Sequence, residues 1–219
     1  PPFGHTGQAV LNRLMKRHGG GFEHNQQSLR IVKFLEKRYP EFPGLNLTWE
    51  VLEGISKHKK DPDNPITRDS SFRNPSLEAQ VADYADAIAY NAHDLDDGIT
   101  SGLLDTEKLD SVTFWRDHEE KIKMRYTNLD NKLKKYLIVR NIINEQVTDF
   151  RENTLHNIEE FNVCSVNDVR SCPKKITGFS AEIESKHKEL KQFLFKNMYQ
   201  HRRVLRVEFK SEQYLTRLF

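Results

Sequence analysis

Apolar positions along the chain recur at the three- and four-residue spacing of helices over most of its length. The first such segment, over about residues 6–18, places its apolar side chains at Val10, Leu11, Leu14 and Met15. Three consecutive glycines, Gly19–Gly21, follow it and are typical of a helix end. The helical spacing predicts an all-α fold. Because no repeat of fixed period is visible, we expect its helices to pack at mixed angles rather than on one heptad.

The same spacing predicts further helices beyond the first glycine run. They span about 25–39, 49–60, 76–98, 106–121, 132–162 and 181–219, the last with a break near His201. Signals for β-strands are weak. The best lies at 165–177, a short run that contains Val166, Val169 and Ile176 and is broken by Pro173.

Composition narrows the class of protein. The 219 residues include 34 Lys and Arg against 32 Asp and Glu, a net charge of +2, which argues against a nucleic-acid-binding domain carried by bulk charge. Two cysteines are too few for a disulfide framework and favour a reducing, cytoplasmic location. No apolar run is long enough to span a bilayer, so we expect no membrane partner.

The predicted helix at 76–98 carries two different faces. A core stripe is expected at Leu77, Val81, Tyr84, Ile88 and Leu95. Almost opposite lie Asp86, Tyr90 and Asp94, each one turn after the last. One interpretation is a solvated acidic face. The other is a site for a divalent cation and a polyphosphate, favoured because no Lys or Arg occurs between Arg73 and Lys108.

Two loops that contain histidine lead into predicted helices. His5 is expected just before the first helix, with Thr6 as its N-cap, and His24 precedes Asn25 at the start of the second. A helix N-terminus favours anions, and a neutral imidazole can donate a hydrogen bond or transfer a proton. The alternative is a capping histidine that bonds only backbone. Lys57 lies near the C-terminal end of the third predicted helix. A lysine at this position is also explained by its favourable interaction with the negative end of the helix dipole.

Four segments together resemble a known family. They read PPFGHTGQ at 1–8, GGFEHNQQSLR at 20–30, GLNLTWEVLEGISK at 44–57 and LEAQVADYADAIAYNAHDLDDG at 77–98. This combination resembles the bacterial deoxyguanosinetriphosphate triphosphohydrolase-like proteins of the HD-domain superfamily, over most of the chain. The resemblance implies a single helical HD domain over 1–219, with 1–100 as active-site core and 101–219 as helical extension. The first and last residues suggest a chain truncated at both ends.

The resemblance also implies roles for individual residues. It makes His5 a catalytic residue near the α-phosphate and Asp86 a ligand of a divalent metal such as Mg²⁺ or Mn²⁺. The family's other metal ligands are expected upstream of Pro1. Contacts to substrate are implied for His24, Asn25, Lys57, Tyr90 and Asp94. Gln8 departs from the family pattern, in which many members carry a Glu three residues after the histidine that corresponds to His5 and pair the two. An amide cannot ionise, so a mechanism that needs a His–Glu dyad is not expected here.

The function implied by the resemblance is metal-dependent hydrolysis of a dNTP to deoxynucleoside and triphosphate by a homo-oligomer, with a hexamer as the expected size. Three alternatives stay open. One is an HD phosphohydrolase with another substrate, such as a nucleoside monophosphate. Another is a non-catalytic dNTP sensor. The third is a helical scaffold that binds single-stranded nucleic acid through Lys132–Lys135 and His201–Arg206.

Overall fold

The computed structural model describes residues 3–56 and 72–219, and their secondary structure is helical. These ranges contain ten α-helices and two π-helical turns, and their β-type pairing is confined to one bridge between Lys37 and Gly44. The all-α fold class expected from the sequence is confirmed.

The helices are numbered here in chain order. In order they are α1 (Gly4–Lys16), α2 (His24–Arg30), α3 (Trp49–Ser56), α4 (Leu77–Thr100), α5 (Thr106–Leu109), α6 (Thr113–Arg125), α7 (Asn131–Glu160), α8 (Val166–Ser171), α9 (Ala181–Leu194) and α10 (Arg202–Leu218). The π-helical turns are Ile31–Leu35 and Phe195–Tyr199.

The described residues divide into two compact units. The first comprises the residues up to Ala79 together with Leu205–Phe219, and the second is Gln80–Val204. Each unit has a buried apolar cluster of its own. The division at about residue 100 expected from the sequence stays a prediction.

In the first unit, α1 packs its apolar stripe inward. Val10 and Leu14 are buried together with Leu215 of α10, and Arg13 pairs with Glu212 at 2.7 Å beside them. Burial of these aliphatic side chains stabilises the amphipathic α1 within the first unit.

The second predicted helix is shorter than its apolar pattern suggests. Regular α-helix ends at Arg30, the π-helical turn continues to Leu35, and Glu36 is already extended. The returning chain explains this end, since Leu45 N donates to Val32 O at 2.8 Å. Gly44 makes that approach with φ 69°, and a Cβ there would lie 2.4 Å from Val32 O. The expectation of a helix to residue 39 was therefore wrong.

The second unit is built around α6, which packs against α7 and α9. Its core contains Ile88, Leu95, Leu104, Leu109, Val112, Phe114, Trp115, Ile122, Ile138, Ile142, Phe179, Ile183, Leu190 and Leu194. The segment predicted as one helix at 106–121 is two helices, α5 and α6, because the chain turns at Asp110–Val112. α7 runs unbroken for 30 residues.

The weak β-strand signal at 165–177 was wrong. Ser165 and Asp168 form a capping box that begins helix α8, so Val166 and Val169 lie on a helix. Beyond it, the backbone N–H groups of Ile176 and Thr177 donate to Gln80 Oε1 at 3.0 and 3.3 Å instead of to a strand.

The break expected near His201 is confirmed. The π-helical turn at Phe195–Tyr199 follows α9, and α10 begins at Arg202 after Gln200 and His201. A π-helical turn rotates the side chains that follow it relative to a regular helix, and such turns occur often at functional sites.

Candidate functional site

The first unit brings two of the predicted site residues together. His5 lies inside the first turn of α1, so the expectations that it precedes the helix and that Thr6 caps it were wrong. The cause is Phe3, whose left-handed backbone, φ 61°, starts the helix at Gly4. The His5 and His24 rings meet edge to face, with centroids 6.3 Å apart.

His24 is held through one ring nitrogen. Its Nδ1 lies 2.7 Å from Gln8 Oε1 and 3.2 Å from Glu23 Oε1. The hydrogen bond is the one to Gln8, whose amide oxygen accepts it, so Nδ1 is the protonated, donating nitrogen; Glu23 Oε1 lies only within ion-pair distance. The Gln8 that departs from the family pattern therefore contacts His24, and a carboxylate contacts the same atom.

Glu23 is a residue that the sequence reasoning missed. It occupies the N-cap position of α2, where its Oε2 accepts from Gln26 N at 3.0 Å. The available signal was a carboxylate directly before a histidine at a helix start. Asn25, predicted to contact substrate, is buried beside this group. Lys57 lies outside the described residues.

The second unit carries the predicted stripe of α4. Ile88 and Leu95 are buried as expected, while Asp86 and Tyr90 are exposed on another face. Val81 was expected in the core but is 40% exposed, because the start of the helix buries Gln80 against the backbone of Ile176 instead.

Two aspartates of α4 lie close to lysines from other segments. Lys135 Nζ lies 2.6 Å from Asp96, and Lys175 Nζ lies 3.8 Å from Asp83. Both lysines come from segments distant in sequence, so the lack of nearby Lys and Arg along the chain was a poor guide. Asp86 also has an electrostatic or polar neighbour.

Asp94 has an unusual environment on this helix. Its Oδ2 is buried and accepts no hydrogen bond from the described residues. Burial raises the pKa of Asp94, and the charge of Asp97 raises this pKa further, while His93 acts in the opposite direction. Burial, followed by the charges of Asp94 and Asp86, likewise raises the pKa of Tyr90. A buried carboxylate oxygen without a donor is suited to a ligand hydroxyl or amine.

Tyr199 completes this part of the site, and the sequence reasoning missed it. Its ring stacks on Tyr90 with centroids 6.3 Å apart and planes 16° apart. Its Oη is buried and has no hydrogen-bond partner among the described residues. The predicted break near His201 was the available signal, since the π-helical turn ends on Tyr199. We call Tyr90, Tyr199 and Asp94 the tyrosine wall.

The predicted site residues thus fall in both units. His5, His24 and Asn25 belong to the first, and Asp86, Tyr90 and Asp94 belong to the second. In the described part of the chain, no three His, Cys, Asp or Glu side chains are grouped so that they could hold a metal ion. Asp86 alone therefore does not make a metal site from these residues.

The lysine cluster at 132–135 is partly neutralised. Lys134 pairs with Glu119, and Lys135 pairs with Asp96 at 2.6 Å. Arg202, Arg203 and Arg206 are exposed on α10. Among the described residues, no helix has the length and apolar character needed to cross a membrane.

Comparisons with known proteins point in one direction. Residues 177–219 match the family described as phosphohydrolase-associated domain. The whole chain is 45% identical to a deoxyguanosinetriphosphate triphosphohydrolase-like protein of Geobacter metallireducens and to one of Geobacter sulfurreducens, and it covers 57% of each. A protein of the same name from Thiobacillus denitrificans is 43% identical, with 59% of its length covered. The chain thus spans little more than half the length of these relatives.

Proposed function

Because the whole chain is 43–45% identical to deoxyguanosinetriphosphate triphosphohydrolase-like proteins, we propose that it forms part of a dNTP triphosphohydrolase of that family. In this reaction the oxygen of water attacks the α-phosphorus, and the bond from that phosphorus to the 5′ oxygen breaks. The 5′ oxygen takes up a proton. The products are a deoxynucleoside and intact triphosphate.

The tyrosine wall is the observation that carries the proposal. Stacked Tyr90 and Tyr199 offer an apolar face to a sugar, and beside them Asp94 Oδ2 and Tyr199 Oη are buried without hydrogen-bond partners. Leaving buried polar atoms unpaired costs stability, and a polar ligand that pairs with them recovers that cost. A deoxyribose supplies an apolar 2′ carbon and a 3′ hydroxyl, which fits such a surface.

The histidine pair of the first unit is suited to the phosphate chemistry. We assign His5 to hold a proton near the breaking bond, since an imidazole can give or take a proton at neutral pH. His24, Asn25 and Lys57 are assigned to the phosphate oxygens, to which N–H groups donate. These roles rest on the family motifs and on the contact between His5 and His24.

A divalent metal is part of the proposal only at Asp86. Such an ion would polarise phosphate oxygens and lower the pKa of a bound water. The described residues do not form a complete ligand set around Asp86. The roles assigned to His5, His24 and the tyrosine wall therefore do not depend on it.

The test is product analysis with protein of the curated relatives' length. Phosphorus NMR distinguishes triphosphate from pyrophosphate and phosphate, and triphosphate is the expected product from a dNTP. His5→Gln should lower kcat by about 10²–10⁴-fold if it moves a proton. His156→Gln is the matched control, because His156 is an exposed histidine of α7. Products other than triphosphate, or no turnover with intact binding, contradict the proposal.

Two rival functions remain testable by the same preparation. A dNTP sensor would bind without turnover. A single-stranded nucleic-acid scaffold would show affinity that falls steeply with salt. The pairing of Lys134 and Lys135 with carboxylates disfavours the scaffold, while the exposed arginines of α10 favour it. A homo-oligomer, with a hexamer as the expected size, and a cytoplasmic location are further parts of the proposal, and light scattering tests the first.

A further inference from the structure

We propose that His187 is a positioning residue for the tyrosine wall, because its two ring nitrogens join the helix that carries Tyr90 and Asp94 to two other helices. His187 lies on α9, and it contacts Asn91 of α4 and Gln146 of α7. All of these residues belong to the second unit. The inference rests on the proposed function only where it concerns turnover.

The hydrogen bonds of this buried cluster run in one direction only. Gln146 Nε2 donates to Ile142 O at 3.2 Å, which turns Gln146 Oε1 toward the imidazole. This Oε1 lies 2.7 Å from His187 Nδ1, and an amide oxygen only accepts, so Nδ1 carries the proton. Nε2 is then an acceptor, and Asn91 Nδ2 lies 3.2 Å from it as the donor. Both amides thus require the same tautomer of His187.

The surroundings of His187 disfavour a charged ring. Its partners from α4 and α7 are uncharged amides, and the ring of Phe179 lies with its centroid 5.2 Å from that of the imidazole. Burial lowers the pKa of His187. Along α9, the charge of Glu184 raises this pKa, and the charges of Lys191 and Lys188 lower it. A second ring proton would also face the N–H group of the α4 amide instead of an acceptor.

The cluster connects the two elements that carry the tyrosine wall. Asn91 directly follows Tyr90 on α4, and Asp94 lies about one turn further along the same helix. Helix α9 passes from Leu194 directly into the π-helical turn that ends on Tyr199. Apolar contacts between helices tolerate small shifts, whereas a buried hydrogen bond is lost when its partners separate. His187 therefore fixes how Tyr90 and Asp94 lie relative to Tyr199.

Nitrogen-15 NMR of the 219-residue chain tests this geometry without turnover, since it separates imidazoles protonated on Nδ1 from those protonated on Nε2. At pH 6.5, the ordinary pKa of histidine, we expect His187 to be neutral and protonated on Nδ1. The variant His187→Gln assigns its signal. A ring that is protonated on Nε2 alone, or that is charged at this pH, overturns the inference.

Two substitutions of His187 separate its two hydrogen bonds. A glutamine side chain extends as far as Nε2 of the imidazole, so His187→Gln keeps an acceptor for Asn91 Nδ2. An asparagine side chain extends only as far as Nδ1, so His187→Asn keeps the contact to α7 and loses the contact to α4. We expect the ring signals of Tyr90 and Tyr199, which depend on stacking, to change in His187→Asn and to stay close to wild type in His187→Gln. Tyr136, an exposed tyrosine of α7, gives the reference signal.

Two further variants separate positioning from a general loss of stability. Asn91→Ala removes the donor of α4 and introduces a strong helix former, so it should fold and change the tyrosine signals in the same way. Ile122→Val shortens a buried side chain of α6 and leaves the network intact, so it should lower the melting temperature without changing those signals. Wild-type tyrosine signals in both Asn91→Ala and His187→Asn, or the same change in Ile122→Val, overturn the inference.

Turnover gives the second arm, in protein of the relatives' length. We expect His187→Asn and Asn91→Ala to lower kcat/KM for a dNTP about tenfold, His187→Gln to retain most of the wild-type value, and Ile122→Val to leave it unchanged. Tyrosine signals that change while kcat/KM stays at the wild-type value overturn the positioning role. A wild type that releases no triphosphate overturns the proposed function instead, and the tautomer and the tyrosine signals then decide about His187 alone.

Discussion

Tyr90 of α4 and Tyr199 of the second π-helical turn stack with their ring planes 16° apart, although more than a hundred residues separate them in the sequence. Tyr90 is 48% exposed, whereas the Oη of Tyr199 is buried and unpaired. One ring is thus open to a ligand, and the other carries the polar atom that a ligand would satisfy. The predictions for the second unit follow from this asymmetry.

Tyr199→Phe is expected to separate stability from function. Removing a buried hydroxyl that has no partner costs the fold nothing, so the melting temperature should stay equal or rise by about 1–2 °C. If the hydroxyl binds the sugar, kcat/KM for a dNTP should fall by about tenfold, the loss of one hydrogen bond. Calorimetry and steady-state kinetics measure the two effects.

The control for that substitution is Tyr136→Phe, at an exposed tyrosine of α7. It should leave both the melting temperature and kcat/KM unchanged. A lower melting temperature in Tyr199→Phe with wild-type kinetics would show that the hydroxyl serves the fold rather than a ligand.

Asp94→Asn should raise stability at neutral pH. Burial and Asp97 raise the folded-state pKa of Asp94 above its ordinary value of 3.8, so the folded chain holds this proton more tightly than the unfolded chain. The free energy of unfolding therefore falls as pH rises from 3.8 through the raised pKa, and it stays reduced above it. The substitution removes that penalty.

The expected gain in melting temperature is about 2 °C at pH 7 and close to zero near pH 3, where the carboxyl is protonated in both states. Thermal denaturation at the two pH values measures it. A lower melting temperature at pH 7 would mean that a donor satisfies the carboxylate in solution. Turnover of a dNTP by Asp94→Asn should fall, because an acceptor for the sugar hydroxyl is weakened.

Gly98 and Gly54 form a matched pair of helical glycines for testing the packing. A Cβ at Gly98 would lie 2.5 Å from Leu104 Cδ1 and 3.3 Å from Met198 Sδ, whereas at Gly54 the nearest atom is Ala79 Cβ at 3.7 Å. Gly98→Ala should cost about 1–3 kcal/mol through overpacking, and Gly54→Ala should gain up to about 1 kcal/mol from helix propensity. Chemical denaturation distinguishes them, and equal effects would contradict the described packing of α4.

The sequence predicted well what depends on local spacing. The 3.6-residue period located α1, α4 and the break before α10, and the stripe of Asp86, Tyr90 and Asp94 lies on one face of α4 as expected. The local prediction failed for a short helix that contains β-branched residues. Val166 and Val169 suit a strand by propensity, but the cap formed by Ser165 and Asp168 decides for a helix.

Partners from distant segments could not be predicted from one sequence. The contact of Glu23 with His24 was within reach of motif reasoning, because the two are neighbours. The stacking of Tyr199 on Tyr90 and the pairing of Lys135 with Asp96 depend on how helices pack, which periodicity does not specify. The residues that complete the tyrosine wall therefore became visible only in the folded chain.

The 219-residue chain is expected to bind Mn²⁺ only weakly. In the described part of the chain, Asp86 has no companions that complete a group of three ligands, and a stable site needs three or more protein ligands. Calorimetric titration should give no stoichiometric transition at micromolar protein, and Asp86→Asn should leave the isotherm unchanged. A tight site with one ion per chain would contradict this expectation.

Tyr90→Ala in protein of the relatives' length should weaken dNTP turnover and relax discrimination against rNTPs. The ring lies one helical turn from Asp86 and faces solvent on one side and Tyr199 on the other, so it is placed to exclude a 2′ hydroxyl. Removing it opens that space, and a misfit group in a pocket is worth about 1–3 kcal/mol, or roughly 10–200-fold in the ratio of kcat/KM values.

A tyrosine that only packs against Tyr199 would instead lower the melting temperature and leave the ratio unchanged. Measuring kcat/KM for matched dNTP and rNTP pairs together with the melting temperature distinguishes the two roles. Tyr90→Phe, which keeps the ring, should retain the wild-type ratio, and a ratio that Tyr90→Ala does not alter would refute the sugar-excluding role while leaving the role of Asp86 untouched.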